Sequence, residues 1–198
     1  MAITASEVAK LRDTTGAGMM DAKNALTEAN GDMEKAIDIL RKSGAAKMAK
    51  KSDRATGEGR VHCYSHGNGK IGVLVEVMCE TDFVGRNEQF VELCNDIAMH
   101  IAASAPLYIS RDQVPVEAVE KEKTFVTESL ADEKKPAEII AKIVDGRMSK
   151  YFADICLMEQ AFIKDDSMTV GQLLESKILS IGENIRIGRF SRIQLGAE

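Results

Sequence analysis

The sequence predicts an α+β protein, in which a three-helix bundle precedes a core of antiparallel three-stranded sheet packed with helices. Three observations indicate this class: marked helix ends in the first 45 residues, two strand-like segments joined by a glycine-rich turn, and helical periodicity further on. With 198 residues, 44% of them apolar, the chain can bury a substantial core. We expect the bundle over residues 1–45, a basic linker over 46–59 and an α+β core and dimerisation domain over 60–198.

The bundle is predicted from its helix-capping residues. Thr4 and Glu7 form a capping-box pattern, which places the first helix at about residues 4–14. Gly16 ends that helix, because glycine readily adopts the backbone conformation of a helix C-cap. The apolar spacing predicts a second helix that stops at residues 30–31, with an inner face formed by Met19, Ala22 and Leu26. Asp32 caps a third helix, which we expect to end at Gly44.

The core is predicted to contain three strands and four further helices. Residues 60–66 alternate, residues 70–79 form an apolar run, and the turn at 67–69 joins them into a hairpin. The remaining pattern predicts helices at about 84–104, 116–131 and 137–152, a short helix after Thr169, and a strand within 183–195. Because a three-stranded sheet leaves unpaired edges and apolar faces, we expect a homodimer formed through it.

Composition argues against nucleic-acid and membrane partners. The net charge is −5, although the window 41–54 holds six basic residues against one acidic residue. That window could contact RNA phosphates, but no aromatic residue interleaves to stack on bases, so a solvated linker face is favoured. No apolar run approaches the roughly 18 residues of a membrane span, and no signal-peptide pattern begins the chain. We therefore expect a cytoplasmic protein, and the four dispersed cysteines are interpreted as reduced core residues.

The motifs of enzymes and metal sites are missing. The turn at residues 67–70 lacks the first glycine and the hydroxyl residue of a P-loop, so it is not a phosphate-binding loop. His62 and His66 lie four apart on one strand face, but no third ligand follows at the spacing of a zinc site. Cys63 points to the opposite face from His62, so the strand forms no Cys–His pair. We expect a protein that is not an enzyme and that uses no cofactor or metal.

The most informative segment lies at residues 80–87, a strand-to-helix corner that places an acid beside a large apolar ring. In one interpretation, Thr81 or Asp82 is an ordinary helix N-cap and Phe83 anchors the core. In the other, Asp82 and Phe83 project from the corner and insert into a second protein. The residue types alone favour the first interpretation, and the other motifs of the chain shift the balance towards the second.

Two long motifs resemble those of the translation elongation factor Ts family. They are LRDTTGAGMMDAKNAL at residues 11–26 and CETDFVGRN at residues 79–87, and weaker likeness continues to residue 174. The size is similar to that of the short form of the family, which has a single core sheet unit. This family is not enzymatic; it is the guanine-nucleotide exchange factor for elongation factor Tu.

The resemblance implies a set of contact residues. It implies that the bundle is ubiquitin-associated-like in fold and that it docks on GDP-bound or nucleotide-free Tu. It also implies that residues at the corner enter Tu near its magnesium and phosphate loops. The bundle residues are Leu11, Arg12, Met19 and Met20, and the corner residues are Thr81, Asp82, Phe83 and Val84. His66 resembles a histidine that reaches Tu in long members, and in a dimer it could do so from the opposite subunit.

Two other functions stay open at this stage. A ubiquitin-like-domain-binding module would use the small bundle, but this leaves the larger second domain unexplained. A ribosome- or RNA-associated protein would use the 41–54 basic window, and its RNA affinity would fall steeply with salt.

Overall fold

A computed structural model of the chain describes residues 3–130 and 136–197. Eight α-helices lie in this part of the chain: α1 Ala5–Thr15, α2 Met19–Glu28, α3 Met33–Ser52, α4 Asp82–Gly85, α5 Glu88–Ser104, α6 Val116–Glu128, α7 Ala137–Ile155 and α8 Val170–Ile181. The strands are β1 Glu58–His66, β2 Ile71–Cys79, β3 Ala161–Phe162, β4 Asp165–Thr169 and β5 Arg186–Gln194. Short 3₁₀ helices occupy Arg111–Gln113 and Leu157–Glu159.

The chain divides into two compact units, each assembled from separate segments. The first comprises Met1–His62, Val75–Asp96 and Leu173–Phe190, and the second comprises Cys63–Leu74, Ile97–Gln172 and Ser191–Glu198. The predicted α+β class is confirmed, because the N-terminal helices are followed by an antiparallel sheet of strand order β1-β2-β5. The two-stranded antiparallel sheet of β3 and β4 was not predicted, since strands of two and five residues give almost no periodic signal.

The N-terminal helices form around the predicted caps. Thr4 and Glu7 make the reciprocal capping-box hydrogen bonds at the start of α1, and Gly16 ends that helix with a left-handed φ of 67°. The helices bury a small apolar cluster made of Val8, Leu11, Ala22, Ala25, Leu26, Ala29 and Ala36. Met19, which was expected on the inner face of α2, is instead exposed.

The third helix is longer than the sequence suggests. We expected it to end at Gly44, before a linker that is helical at its start, but α3 continues without a break to Ser52. A Cβ atom at position 44 would lie 3.1 Å from the Cδ1 atom of Leu179 on α8, so Gly44 allows α3 to pass close to that helix. Glycine costs about 1 kcal/mol relative to alanine inside a helix, which is too little to stop a helix that is held by packing.

The sheet is built around β2, on which alternate residues are buried. Val73, Val75, Val77 and Cys79 are buried, whereas Gly72 and Leu74 are exposed, as expected for a strand with one covered face. The helix expected at 84–104 is divided into α4 and α5, and β1 begins at Glu58, inside the segment expected to be a linker. The apolar face of α5 is deeply buried through Phe90, Leu93, Cys94, Ile97 and Ile101.

The second unit contains a buried histidine that is fully hydrogen-bonded. The Nε2 atom of His100 lies 3.0 Å from Oε1 of Gln160, and its Nδ1 atom accepts a hydrogen bond from the backbone N–H of Ile163 at 3.2 Å. Because Nδ1 accepts, Nε2 carries the proton and the ring is neutral. Burial lowers the pKa of His100, so this neutral form is maintained.

The expectation that all four cysteines are core residues is wrong for one of them. Cys79, Cys94 and Cys156 are buried free thiols, but Cys63 is exposed on β1 and is not a core residue. The interpretation failed there because an alternating strand does not reveal which of its faces is covered. Burial raises the pKa of Cys94 to about 12, which suppresses its reactive thiolate form.

We expect this difference in burial to appear as a difference in thiol reactivity. In the folded protein, Cys63 should react rapidly with a thiol-specific chromogenic reagent, whereas the three buried cysteines should react only after denaturation. A Cys63→Ser variant should lack the rapid phase. Rapid labelling of any thiol in that variant would contradict the burial of Cys79, Cys94 and Cys156.

Candidate functional site

The predicted corner is a tight turn between a strand and a short helix. After β2 ends at Cys79, Thr81 is extended, with φ −129° and ψ 155°, and its hydroxyl oxygen accepts a hydrogen bond from the backbone N–H of Val84 at 3.4 Å. Thr81, rather than Asp82, is therefore the N-cap of α4. This helix has four residues, and α5 begins three residues after its end.

Phe83 projects into solvent from α4. The residue is 81% exposed, whereas Phe90, at the start of α5, is fully buried. The core-anchor interpretation of Phe83 is therefore excluded, and Phe90 fills the core instead. A large apolar side chain held outside the core is available to a partner.

The other three residues of α4 are one acid and two residues that are less accessible than Phe83. The Oδ2 atom of Asp82 lies 2.8 Å from Nη2 of Arg86, one helical turn away, and 45% of the Asp82 side chain remains accessible. Val84 is half-buried and Gly85 is buried. The accessible chemistry of α4 is thus an apolar ring beside a partly neutralised carboxylate.

A distant carboxylate holds the base of the corner, and sequence reasoning did not identify it. The Oε2 atom of Glu183 accepts hydrogen bonds from the backbone N–H groups of Glu80 at 3.1 Å and Thr81 at 3.0 Å. Its Oε1 atom accepts from the Thr81 hydroxyl at 2.6 Å. Glu183 follows α8 and lies 102 residues from Thr81 in the chain, so no local pattern pointed to it.

The last residue of β2 also stabilises the corner through a hydrogen bond. The thiol of Cys79 donates to the backbone oxygen of Thr81 at 3.1 Å. Burial, followed by the nearby charge of Glu183, raises the pKa of Cys79, so the sulfur keeps its proton and can donate. Cys79 therefore supports the corner as a hydrogen-bond donor.

Gly59 on β1 packs closely against the backbone of β2. A Cβ atom at position 59 would lie 2.2 Å from the backbone oxygen of Val77, and the residue has a φ of 142°. The Gly59 oxygen in turn lies 3.4 Å from the Cβ position of Gly85 in α4. This glycine, which was assigned to a linker, lies directly beside the corner.

The four bundle residues that the family resemblance implies as contacts to Tu differ in their accessibility to solvent. Leu11 is fully buried in the small apolar cluster, so it supports the bundle from inside. Arg12, Met19 and Met20 are exposed around the turn between α1 and α2. These three side chains form the accessible part of the expected docking surface.

His66 lies in the other compact unit, at the tip of the β1–β2 hairpin. It is exposed, its Nδ1 atom lies 3.0 Å from the Tyr64 hydroxyl, and the two rings stack with centroids 5.9 Å apart. Tyr64 therefore restricts the orientation of a histidine that is accessible to solvent.

Within residues 3–130 and 136–197, no three or more His, Cys, Asp or Glu side chains are grouped so that they could hold a metal ion. No helix in the described part of the chain has both the length and the apolarity needed to cross a bilayer.

The chain is similar to known proteins over nearly its whole length. A family model described as Elongation factor TS matches residues 4–197. A protein of Acetivibrio thermocellus named elongation factor Ts is 58% identical over 194 residues, which are 98% of this chain and 90% of the relative. Those of Fervidobacterium nodosum and Oleidesulfovibrio alaskensis, with the same name, are 54% and 53% identical over 196 residues, covering 99% of this chain and 100% and 99% of the relatives.

Proposed function

Because this chain belongs to the elongation factor Ts family, we propose that it binds elongation factor Tu and promotes the release of GDP. Its general role is that of a translation elongation factor. We propose that the protein acts in the cytoplasm and that it binds Tu in both the GDP-bound and the nucleotide-free states.

The observation that carries the proposal is the exposure of Phe83 at the tip of a braced corner. An exposed aromatic ring loses contact with water when it enters an apolar pocket, and such rings often dominate the energy of an interface. In our proposal Phe83 enters Tu as a wedge. Asp82 then lies near the phosphate-bound magnesium and competes for the dipoles that hold the ion.

The exposed side chains of the bundle suit the docking role. Met19 and Met20 are flexible and polarisable, so they can adapt to an apolar surface of Tu. Arg12 adds a positive charge that can pair with a carboxylate at the edge of the interface. In this proposal the bundle supplies most of the affinity for Tu, and the corner accelerates the release of GDP.

Exchange then follows from thermodynamic linkage. If the corner and GDP each disfavour the binding of the other, this protein weakens GDP binding by the same factor by which GDP weakens its own binding. Each tenfold change corresponds to about 1.4 kcal/mol of coupling free energy. No bond is made or broken, so the protein acts as a binding partner and not as an enzyme.

The direct test measures the release of a fluorescent GDP analogue from Tu in an excess of unlabelled GDP. We expect substoichiometric amounts of this protein to accelerate release, and we expect no binding of the analogue to this protein alone. An unchanged release rate at micromolar concentrations would reject the proposal.

We also propose that the protein forms a homodimer through its core sheet. Within the second unit, Leu74, Ile193 and Leu195 are exposed apolar residues on or next to the strands, with 71% of Ile193 accessible. An exposed apolar sheet surface favours association with a second copy. The proposed cross-subunit contact of His66 with Tu depends on this dimer.

Light scattering tests the dimer. We expect a mass near twice the 21.6 kDa of the chain at tens of micromolar, and we expect Ile193→Lys to reduce it towards the monomer value, because it places a charge in the interface. Val116→Lys, at an exposed apolar position on α6, is the matched control and should stay dimeric. A monomeric wild-type protein would remove both the dimer and the cross-subunit role of His66.

A further inference from the structure

We propose that Glu183 is a positioning residue for nucleotide exchange, because it fixes the direction in which Phe83 leaves the corner. This inference rests on the proposed function. Its physical basis is that one carboxylate receives three hydrogen bonds at the base of α4, two from backbone N–H groups and one from the hydroxyl of Thr81. Hydrogen bonds to an ionised acceptor are stronger than those between neutral groups.

The position of Phe83 cannot be set by burial of its own side chain. The residue is 81% exposed, so few packing contacts restrain its ring. α4 is a single turn, and so short a helix is not stable by itself. The orientation of the ring must therefore come from the backbone on which α4 is mounted.

Glu183 holds that part of the backbone. Glu80 and Thr81 connect the end of β2 to the start of α4, and both of their N–H groups point to the same carboxylate oxygen. The Thr81 hydroxyl donates to the other oxygen while it accepts the capping bond from Val84. The carboxylate thus joins the restraint on the backbone to the N-cap of α4.

The residue after Glu183 connects the same corner to α3. The backbone N–H of Asn184 donates to Oε1 of Glu80 at 2.6 Å, and its side-chain amide donates to the backbone oxygens of Ser52 at 3.3 Å and Arg54 at 2.9 Å. Asn184 is 3% exposed, and a buried amide with these bonds restricts the segments that it joins. Glu183 is therefore itself held in a defined place.

The first experiment observes the corner in the isolated full-length protein. The chain contains no tryptophan, so Phe83→Trp introduces a single fluorescent reporter at the tip of α4. We expect Glu183→Ala to increase the amplitude of nanosecond depolarisation of this tryptophan, whereas Glu175→Ala, which removes an exposed carboxylate from α8, leaves it unchanged. Identical anisotropy decays in the Glu183 and Glu175 variants would overturn the inference, whatever the outcome of the exchange assay.

The second experiment separates positioning from general stability by a double-mutant cycle. With a phenylalanine at position 83, we expect Glu183→Ala to lower the maximal rate of GDP release about tenfold, with little change in the half-saturating concentration of this protein. In the Phe83→Ala background, the same change should cost about twofold or less, because Glu183 acts through the ring. An equal loss in both backgrounds would indicate a merely structural role and overturn the inference.

A milder variant keeps the test decisive if Glu183→Ala is poorly folded. Glu183→Gln preserves the length of the side chain but removes its negative charge, and its amide nitrogen can only donate, so the charge-assisted bonds are weakened and at least one is lost or reversed. We expect an intermediate loss of maximal rate and an intermediate gain in tryptophan mobility. Full activity of Glu183→Gln, with rigid tryptophan, would overturn the inference, whereas a wild-type protein that fails to release GDP would reject the proposed function itself.

Discussion

Replacing Phe83 by alanine should lower the maximal rate of GDP release from Tu by about tenfold or more, with little change in thermal stability. An aromatic side chain that fills a pocket at the centre of an interface contributes on the order of 2 kcal/mol or more, and about 1.4 kcal/mol corresponds to a factor of ten. Because Phe83 is 81% exposed, removal of its ring leaves almost no cavity in this protein. Stopped-flow GDP release and thermal unfolding on the same variant provide both quantities.

The matched control is Phe125→Ala on α6. Phe125 belongs to the second compact unit and is also an exposed phenylalanine, with 66% of the residue accessible, so its truncation removes a similar apolar surface. We expect near wild-type exchange from this control. If the two variants behave alike, or if Phe83→Ala keeps full activity, the wedge mechanism is wrong.

Asp82→Ala should lower exchange less than Phe83→Ala does. The carboxylate already pairs with Arg86 at 2.8 Å and remains partly exposed, so its electrostatic effect is weakened by solvent and by that partner. Asp82 and Phe83 are adjacent on one turn, and therefore the losses in the double variant should not add. Additive losses would indicate that the two side chains act on separate features of Tu.

The sequence predicted the elements whose signals are local. The capping box of Thr4 and Glu7, the turn at residues 67–69 and the N-cap before Phe83 depend on a few neighbouring residues, and each was found in the structure. Elements that depend on distant packing were predicted less well. The continuation of α3 past Gly44 depends on its contact with Leu179, which lies far away in the chain.

In the candidate site, too, the features with local signals were predicted and those that depend on distant residues were not. The sequence located Thr81, Asp82 and Phe83, because a strand, a cap and a helix meet there. It could not decide whether Phe83 is buried or exposed, since exposure is a property of the whole fold and Phe90 offers a second aromatic for the core. It gave no indication of Glu183, because a carboxylate that binds backbone N–H groups across 102 residues forms no motif.

Gly59→Ala should lower the free energy of unfolding by about 2–5 kcal/mol. Two effects combine there: a φ of 142° is strained for any residue with a Cβ atom, and that atom would lie 2.2 Å from the backbone oxygen of Val77. Backbone atoms of β2 cannot rotate away as a side chain could, so β1 has to move. Urea denaturation provides the free energy, and Gly57→Ala is the control, because nothing lies within 4 Å of its Cβ position.

The same substitution should disturb exchange, because the Gly59 oxygen lies beside Gly85 in α4. A displacement of β1 at this point alters the packing beneath the helix that carries Phe83, so the loss of exchange at temperatures where the variant is still folded should exceed that of Gly57→Ala. Equal stability of the two variants would mean that β1 does not approach β2 as closely as described. If Gly59→Ala is destabilised but retains full exchange when folded, the orientation of the corner does not depend on β1, and the hydrogen bonds of Glu183 are sufficient to hold it.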